Sequence, residues 1–62
     1  MLDIIAIRDL LNIDNQIGVK GCVYNGRITK IIKVFNNEEI EVEITFSDGS
    51  TTIENSKSLY IL

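Results

Sequence analysis

The sequence predicts a mainly β protein in which a five-stranded antiparallel sheet curls into a partly open barrel behind one short N-terminal helix. Apolar residues follow a helical spacing only at the start of the chain and alternate with polar residues from position 16 onward. Turn signals recur at short intervals, and no connection is long enough to carry a parallel crossover. The 62 residues allow a single domain, 1–62, with the helix inside 1–13 and the barrel over 16–62. Such a sheet must curl to hide its edges and its apolar face.

The first element is predicted as a helix over residues 3–11. Its apolar residues recur at helical spacing and form one face: Ile4, Ile7 and Leu11, flanked by Leu10. Asp3 suits the N-cap position, because its carboxylate can accept hydrogen bonds from the free amides of the first turn. Asn12 suits a left-handed residue that ends the helix. A helix this short is not stable alone, so we expect its apolar face to dock on the barrel and to cover one opening.

The next two elements are predicted as strands over 16–23 and 27–35. Asn25-Gly26 lies between them and is the strongest short hairpin signal, because both residues tolerate positive φ. In the second strand, strict alternation would turn Lys30 inward. A β-bulge or a sharp bend at that position would return three aliphatic residues to the core face: Ile28, Ile32 and Val34.

Three further strands complete the predicted sheet, over 40–46, 51–54 and 59–62. The third strand alternates most regularly, with its apolar residues on one face: Ile40, Val42, Ile44 and Phe46. Its other face carries Glu41, Glu43 and Thr45. The connections are predicted as turns over 36–39 and 47–50 and one helical turn over 55–58.

Composition excludes several classes of protein. The chain has 45% hydrophobic residues, so it is not a disordered tail. It has no His and one Cys, which excludes zinc fingers, disulfide-stabilised folds and Ser-His-Asp or Cys-His enzymes. Cys22 fits a structural thiol in a reducing compartment, and the N-terminus lacks the basic stretch of a secretion signal, so we expect a cytoplasmic protein. Frequent Ile and Asn indicate an AT-rich genome, such as that of a low-GC bacterium or its phage.

The charges are unevenly distributed along the chain. Residues 15–37 carry no acid and four basic residues: Lys20, Arg27, Lys30 and Lys33. Residues 38–62 carry six acidic residues and Lys57. This segregation is typical of a bipolar binding surface and equally of two neighbouring strands that neutralise each other. In a hairpin of the second and third strands, Lys33 would lie opposite Glu41 or Glu43, which favours pairing within the sheet over nucleic-acid binding.

Two stretches and a late leucine have the spacing of a known small-barrel pattern: Tyr24-Asn25-Gly26-Arg27-Ile28, Ile44-Thr45-Phe46-Ser47-Asp48-Gly49, and Leu59. With these residues, positions 17–62 resemble the SH3-like small barrels of the Tudor type. The resemblance implies the architecture rather than a particular role, because this fold hosts many functions. Tudor-type barrels commonly bind methylated Lys or Arg in a cage of aromatic rings. Tyr24 is the best candidate here for a solvent-facing aromatic residue, and one ring does not form a cage.

We predict no enzyme activity and assign no catalytic residue, cofactor or metal site. Glu41 and Glu43 share one strand face and are expected to face water, whereas general acid–base catalysis needs a carboxylate whose pKa burial has raised. The type II dihydrofolate reductases resemble this chain in length and barrel type. Their ligand-contacting Val-Gln-Ile-Tyr stretch corresponds to Thr51-Thr52-Ile53-Glu54, so the Gln and Tyr are missing and that activity is not implied.

The function we expect is a non-catalytic protein–protein interaction module without membrane contact, such as an accessory or inhibitor protein of a phage or mobile element. The candidate binding residues are Tyr24, Asn25, Arg27, Lys33 and Asp48. Ile5 falls on the polar side of the helix, and we expect it, or a sheet edge, to mediate a homo-oligomer. The alternatives are a nucleic-acid-binding barrel and an oligomeric enzyme with a site between subunits.

Overall fold

The computed structural model describes residues 2–62, which form one antiparallel sheet and one α-helix. The elements follow in chain order: α1 (Ile4–Leu11), β1 (Ile17–Val19), β2 (Asn25–Asn36), β3 (Glu39–Phe46), β4 (Thr51–Asn55), a 3-10 turn (Ser56–Ser58) and β5 (Leu59–Ile61). The strand order is β4-β3-β2-β1-β5, and within the described residues no hydrogen-bonded ladder joins β4 to β5. The predicted class, mainly β with five antiparallel strands and a short N-terminal helix, is confirmed.

Helix α1 packs on the apolar core, as predicted. Its buried residues are Ile4, Ile7 and Leu10, and Leu11 is half-buried against the same core. Asp3 is the N-cap, and its Oδ1 accepts a hydrogen bond from the Ala6 N–H at 2.9 Å. Asn12 is not left-handed, contrary to expectation. Its φ is −91°, and its side chain donates to the Arg8 carbonyl at 3.2 Å, which satisfies a free end-of-helix acceptor without positive φ.

Two hydrogen bonds hold α1 alongside β2. The Ile4 N–H donates to the Asn37 carbonyl at 2.8 Å, just past the end of β2. Asn15, beyond the other end of the helix, accepts from the Ile28 N–H at 3.1 Å. Because β1 pairs only with the first two residues of β2, α1 lies beside the part of β2 that has no second strand neighbour. No helix within residues 2–62 has the length and apolar character needed to cross a membrane.

The prediction of a hairpin turn at Asn25-Gly26 is wrong, and β1 (Ile17–Val19) is shorter than the predicted strand over 16–23. The chain reverses within residues 20–24, where Gly21 has a φ of +80°. Asn25 and Gly26 instead begin β2 and pair with β1. A Cβ at Gly26 would lie 2.5 Å from the Ile44 Cγ2, so this glycine serves the close approach of two strands rather than a positive φ.

β2 contains three register shifts against β3, each of which adds one residue to β2: Thr29, Ile32 and Phe35. The predicted bulge near Lys30 is therefore confirmed, and Ile28 is buried as predicted. Ile31 lies opposite Val42 and packs on the core. Ile32 and Val34 are 43% and 47% exposed, so their predicted burial was wrong. One bulge was expected; with three bulges, Ile31 rather than Ile32 takes the middle position of the row that faces the buried residues of β3.

β3 follows the predicted alternation and anchors the rest of the sheet. Its fully buried residues are Ile40, Val42 and Ile44, and Phe46 is half-buried at the strand end. The turns over 36–39 and 47–50 also lie where they were predicted. The buried Ser56 hydroxyl accepts from the Ile40 N–H and donates to the Glu38 carbonyl, both at 3.1 Å. These two bonds tie the 3-10 turn to the start of β3.

Candidate functional site

Two adjoining hollows lie where the loop over residues 20–24 approaches the turn over 47–50. The larger hollow has a volume of about 580 Å³, and the smaller has about 310 Å³. Tyr24, Phe46 and Ser47 line both hollows. We call this region, residues 20–27 and 45–50, the Tyr24 surface.

Loop geometry exposes the aromatic ring at the centre of this surface. The Cys22 N–H donates to the Val19 carbonyl at 3.0 Å and closes a tight turn around Gly21. The turn then projects the next two side chains outward, so that Val23 is 89% exposed and Tyr24 is 69% exposed. Two large side chains held in water on a short, hydrogen-bonded loop are available for contact with a partner.

Asp48 supplies a fixed negative charge at the smaller hollow. Its Oδ1 accepts from the Ser50 hydroxyl at 2.6 Å and from the Ser50 N–H at 2.9 Å. The hydroxyl first, and the backbone N–H second, lower the pKa of Asp48 below its ordinary 3.8. Gly49 takes a φ of +88° within the same turn. The carboxylate is therefore ionised at neutral pH and held in one position beside Tyr24.

The larger hollow has a polar wall formed by β2 and β3. Thr29 Oγ1 lies 3.0 Å from Thr45 Oγ1 and donates to Glu43 Oε1 at 2.9 Å. Arg27 Nη1 lies 3.3 Å from Asp14 Oδ1, and both side chains are largely exposed. An exposed ion pair of this kind contributes little stability, so the guanidinium can exchange Asp14 for an incoming acceptor at low cost.

The structure brings together four of the five predicted binding residues. Tyr24, Asn25 and Arg27 line the larger hollow, and Asp48 lines the smaller one. Lys33 lies elsewhere, opposite Glu41 on the far half of β2, with its Nζ 4.9 Å from the ring centroid of Phe35. The predicted position of Lys33 opposite Glu41 or Glu43 is confirmed, and Lys33 does not line either hollow. It is the ninth residue of β2, which begins at Asn25, so the length of the strand separates it from the loop.

Phe46 is a site residue that the sequence pattern did not reveal. Its place in the alternation of β3 indicated a core residue, and it does pack on the core. It is also the last residue of β3, so one side of its ring remains open to both hollows. An aromatic residue at a strand end before a Ser-Asp-Gly turn was the available signal.

The chemistry of this region is that of a contact surface. Within residues 2–62, no three His, Cys, Asp or Glu side chains lie close enough together to hold a metal ion. An exposed phenol, a half-open phenylalanine ring, a fixed carboxylate and an exchangeable guanidinium offer stacking, hydrogen bonding and charge pairing. Comparison of the chain with protein-family models, curated proteins and solved structures gave no match.

Proposed function

We propose that the chain is a small-barrel interaction module that binds a protein segment at the Tyr24 surface. The observation that carries this proposal is Tyr24 itself, 69% exposed between two concave hollows. Tyrosine is enriched among the residues that dominate protein interfaces, because it presents a large rigid ring and a hydrogen-bonding hydroxyl. The strand order and the helical turn before β5 also support the resemblance to SH3-like barrels.

The chemistry of the two hollows specifies the kind of segment. The larger hollow suits an apolar or aromatic side chain against Tyr24 and Phe46. Asp48 suits a Lys or Arg elsewhere on the same segment, because its carboxylate is ionised and held in place. We therefore expect a ligand that combines one bulky apolar residue with one basic residue.

Peptide selection tests this proposal without requiring the partner to be identified first. A phage-displayed library of random peptides is selected on the wild-type protein, and enriched peptides are measured against Tyr24→Ala and Asp48→Asn. Ile53→Ala is the matched control, since Ile53 is an exposed apolar residue on β4 that lines neither hollow. We expect Tyr24→Ala to weaken binding by more than about tenfold, as for a central interface aromatic, and Ile53→Ala to leave it unchanged. Enriched peptides that bind Tyr24→Ala as well as wild type would refute the proposal.

Nucleic-acid binding is the alternative that the same preparation can exclude. A labelled single-stranded 20-mer is titrated at low and at physiological salt, because phosphate contacts weaken steeply with salt. We expect no saturable binding, since the carboxylates of Glu43 and Glu41 lie beside Lys30 and Lys33 in the sheet and would repel phosphates. Salt-sensitive binding that Lys33→Glu abolishes would favour the nucleic-acid function instead.

A further inference from the structure

We propose that a second copy of this chain docks on the outer face of the β2–β3 hairpin and forms a two-fold dimer there. This face lies on the side of the sheet opposite the core and is centred on Lys33, Phe35 and Glu41; its other end, at Arg27 and Thr45, reaches the Tyr24 surface. We call it the charged hairpin face. The proposal does not depend on the function proposed for Tyr24.

The bulges give β2 a three-residue repeat. From Arg27 to Phe35 each triplet contains a basic residue, an aliphatic residue and a bulged residue: Arg27-Ile28-Thr29, Lys30-Ile31-Ile32 and Lys33-Val34-Phe35. Each bulge places two residues of β2 against one of β3, so residues three apart in β2 face residues two apart in β3. The three basic residues therefore form a row opposite Thr45, Glu43 and Glu41, on the face that β3 turns away from the core.

The result is a row of cations beside a row of carboxylates on adjacent strands. Adjacent strands lie about 4.8 Å apart. Among residues 2–62, the one salt bridge within 4.0 Å joins Arg27 to Asp14, so the lysines and glutamates of this face do not saturate each other. An entirely anionic partner would be attracted by one row and repelled by the other. A partner that carries both rows in matching positions satisfies both, and a second copy is such a partner.

A two-fold axis gives that match if it lies in the plane of contact between the two copies. It then runs parallel to the strands, over the line midway between β2 and β3. Such an axis exchanges the two strands without changing the position along them. Lys33 of one copy then lies over Glu41 of the other, and Lys30 lies over Glu43. Both contacts occur twice, once on each side of the axis.

Phe35 provides an apolar centre for the same arrangement. Its ring is half exposed and lies on this face, because the Lys33 Nζ is 4.9 Å from the ring centroid. The axis would set the two Phe35 rings about one strand spacing apart, which falls within the range for offset aromatic stacking. Ile53, also half exposed, extends the apolar area beside Glu43. Ile5, by contrast, is the one large exposed apolar side chain of α1, and Arg8 and Asp9 follow it one helical turn later.

Sedimentation and light scattering of paired charge variants test this geometry. Wild type should show a concentration-dependent dimer. Lys33→Glu and Glu41→Lys should each weaken dimerisation by more than about tenfold, because each sets like charges against each other across the axis. An equimolar mixture of the two variants should restore the dimer. At one contact of the mixed dimer the two substituted side chains meet with opposite charges, and at the other contact the native Lys33 meets the native Glu41. The double variant Lys33→Glu/Glu41→Lys should dimerise as wild type does.

Controls separate docking from folding. Circular dichroism melts at low concentration establish that each variant is folded, and Lys57→Glu, off this face, should leave the dimer intact. Phe35→Ala should be a folded monomer that still binds the peptides selected on wild type, and Tyr24→Ala should remain a dimer. A wild type that stays monomeric at about 100 μM, which corresponds to a dimer Kd well above ~0.1 mM, would overturn the proposal. So would a mixture that fails to restore the dimer, or an Ile5→Lys variant that alone abolishes it.

Discussion

Replacing Ile7 with Ala tests whether α1 belongs to the same folding unit as the sheet. Ile7 is fully buried among core residues from the strands. Truncation of a buried Ile costs about 2–5 kcal/mol, because the lost transfer free energy is joined by the cost of a cavity. A chain of 62 residues has a total stability of roughly 3–9 kcal/mol at about 0.05–0.15 kcal/mol per residue. The variant should therefore lose about half of its free energy of unfolding, and Ile7→Asp, with a buried unpaired charge, should not fold.

The matched control for this prediction is Ile5→Ala on the same helix. Ile5 is 67% exposed, so its truncation should change the free energy of unfolding by less than about 0.5 kcal/mol. Urea unfolding followed by circular dichroism, at one low protein concentration to limit any contribution from association, gives both midpoints and slopes. If Ile7→Ala unfolds at the wild-type midpoint with an unchanged slope, α1 is not docked and the reasoning fails.

Two further predictions concern single side chains. Ser56→Ala removes the partner of the Ile40 N–H and the Glu38 carbonyl, so urea unfolding should show a loss of about 1–3 kcal/mol; Ser58→Ala is the control and should be nearly neutral. Asp48 has a folded-state pKa below its unfolded-state value of 3.8, so its ionised form stabilises the fold above that pH. The difference in Tm between wild type and Asp48→Asn should therefore be constant near neutral pH and shrink as pH falls below about 4. A difference that persists at pH 2, roughly two units lower, would show that the charge is not its cause.

The parts of the fold that one periodicity describes were predictable. In β3 each inward position is apolar and each is buried, apart from the strand end, so its register and faces follow from the sequence. The helix was predictable for the same reason, including its Asp3 cap. The absence of a turn at Asn25-Gly26 was not predictable, because a glycine can be required in a structure for two different reasons. Gly21 and Gly49 supply positive φ, whereas Gly26 supplies the absence of a Cβ, and local sequence does not separate these reasons.

The candidate site was predictable where it depends on loops. Tyr24 and Asp48 belong to turns whose composition marks them, and the structure places them beside the same hollow. The partner of Lys33 was predictable, but its distance from the Tyr24 surface follows from how far β2 extends beyond the loop. Phe46 depends on where β3 stops, because the same alternation describes a buried ring in mid-strand and a half-open ring at the end. Element ends and bulges are set by tertiary packing, which periodicity does not report.

The register of the β2–β3 hairpin is determined by its ends rather than by its charges. A slip of one triplet would set Lys33 opposite Glu39 and Lys30 opposite Glu41, so each lysine would keep a glutamate as its partner. Charge pairing therefore fits both registers, whereas core pairing favours the observed one, because the slip would set Asn25 opposite the buried Ile44. The slip would put residues 34–38 into the turn and would bring Val23 into the place of Gly26, where even a Cβ lies 2.5 Å from the Ile44 Cγ2. Gly26 and the two-residue turn thus select one register, and the rows of the charged hairpin face take their positions from that selection.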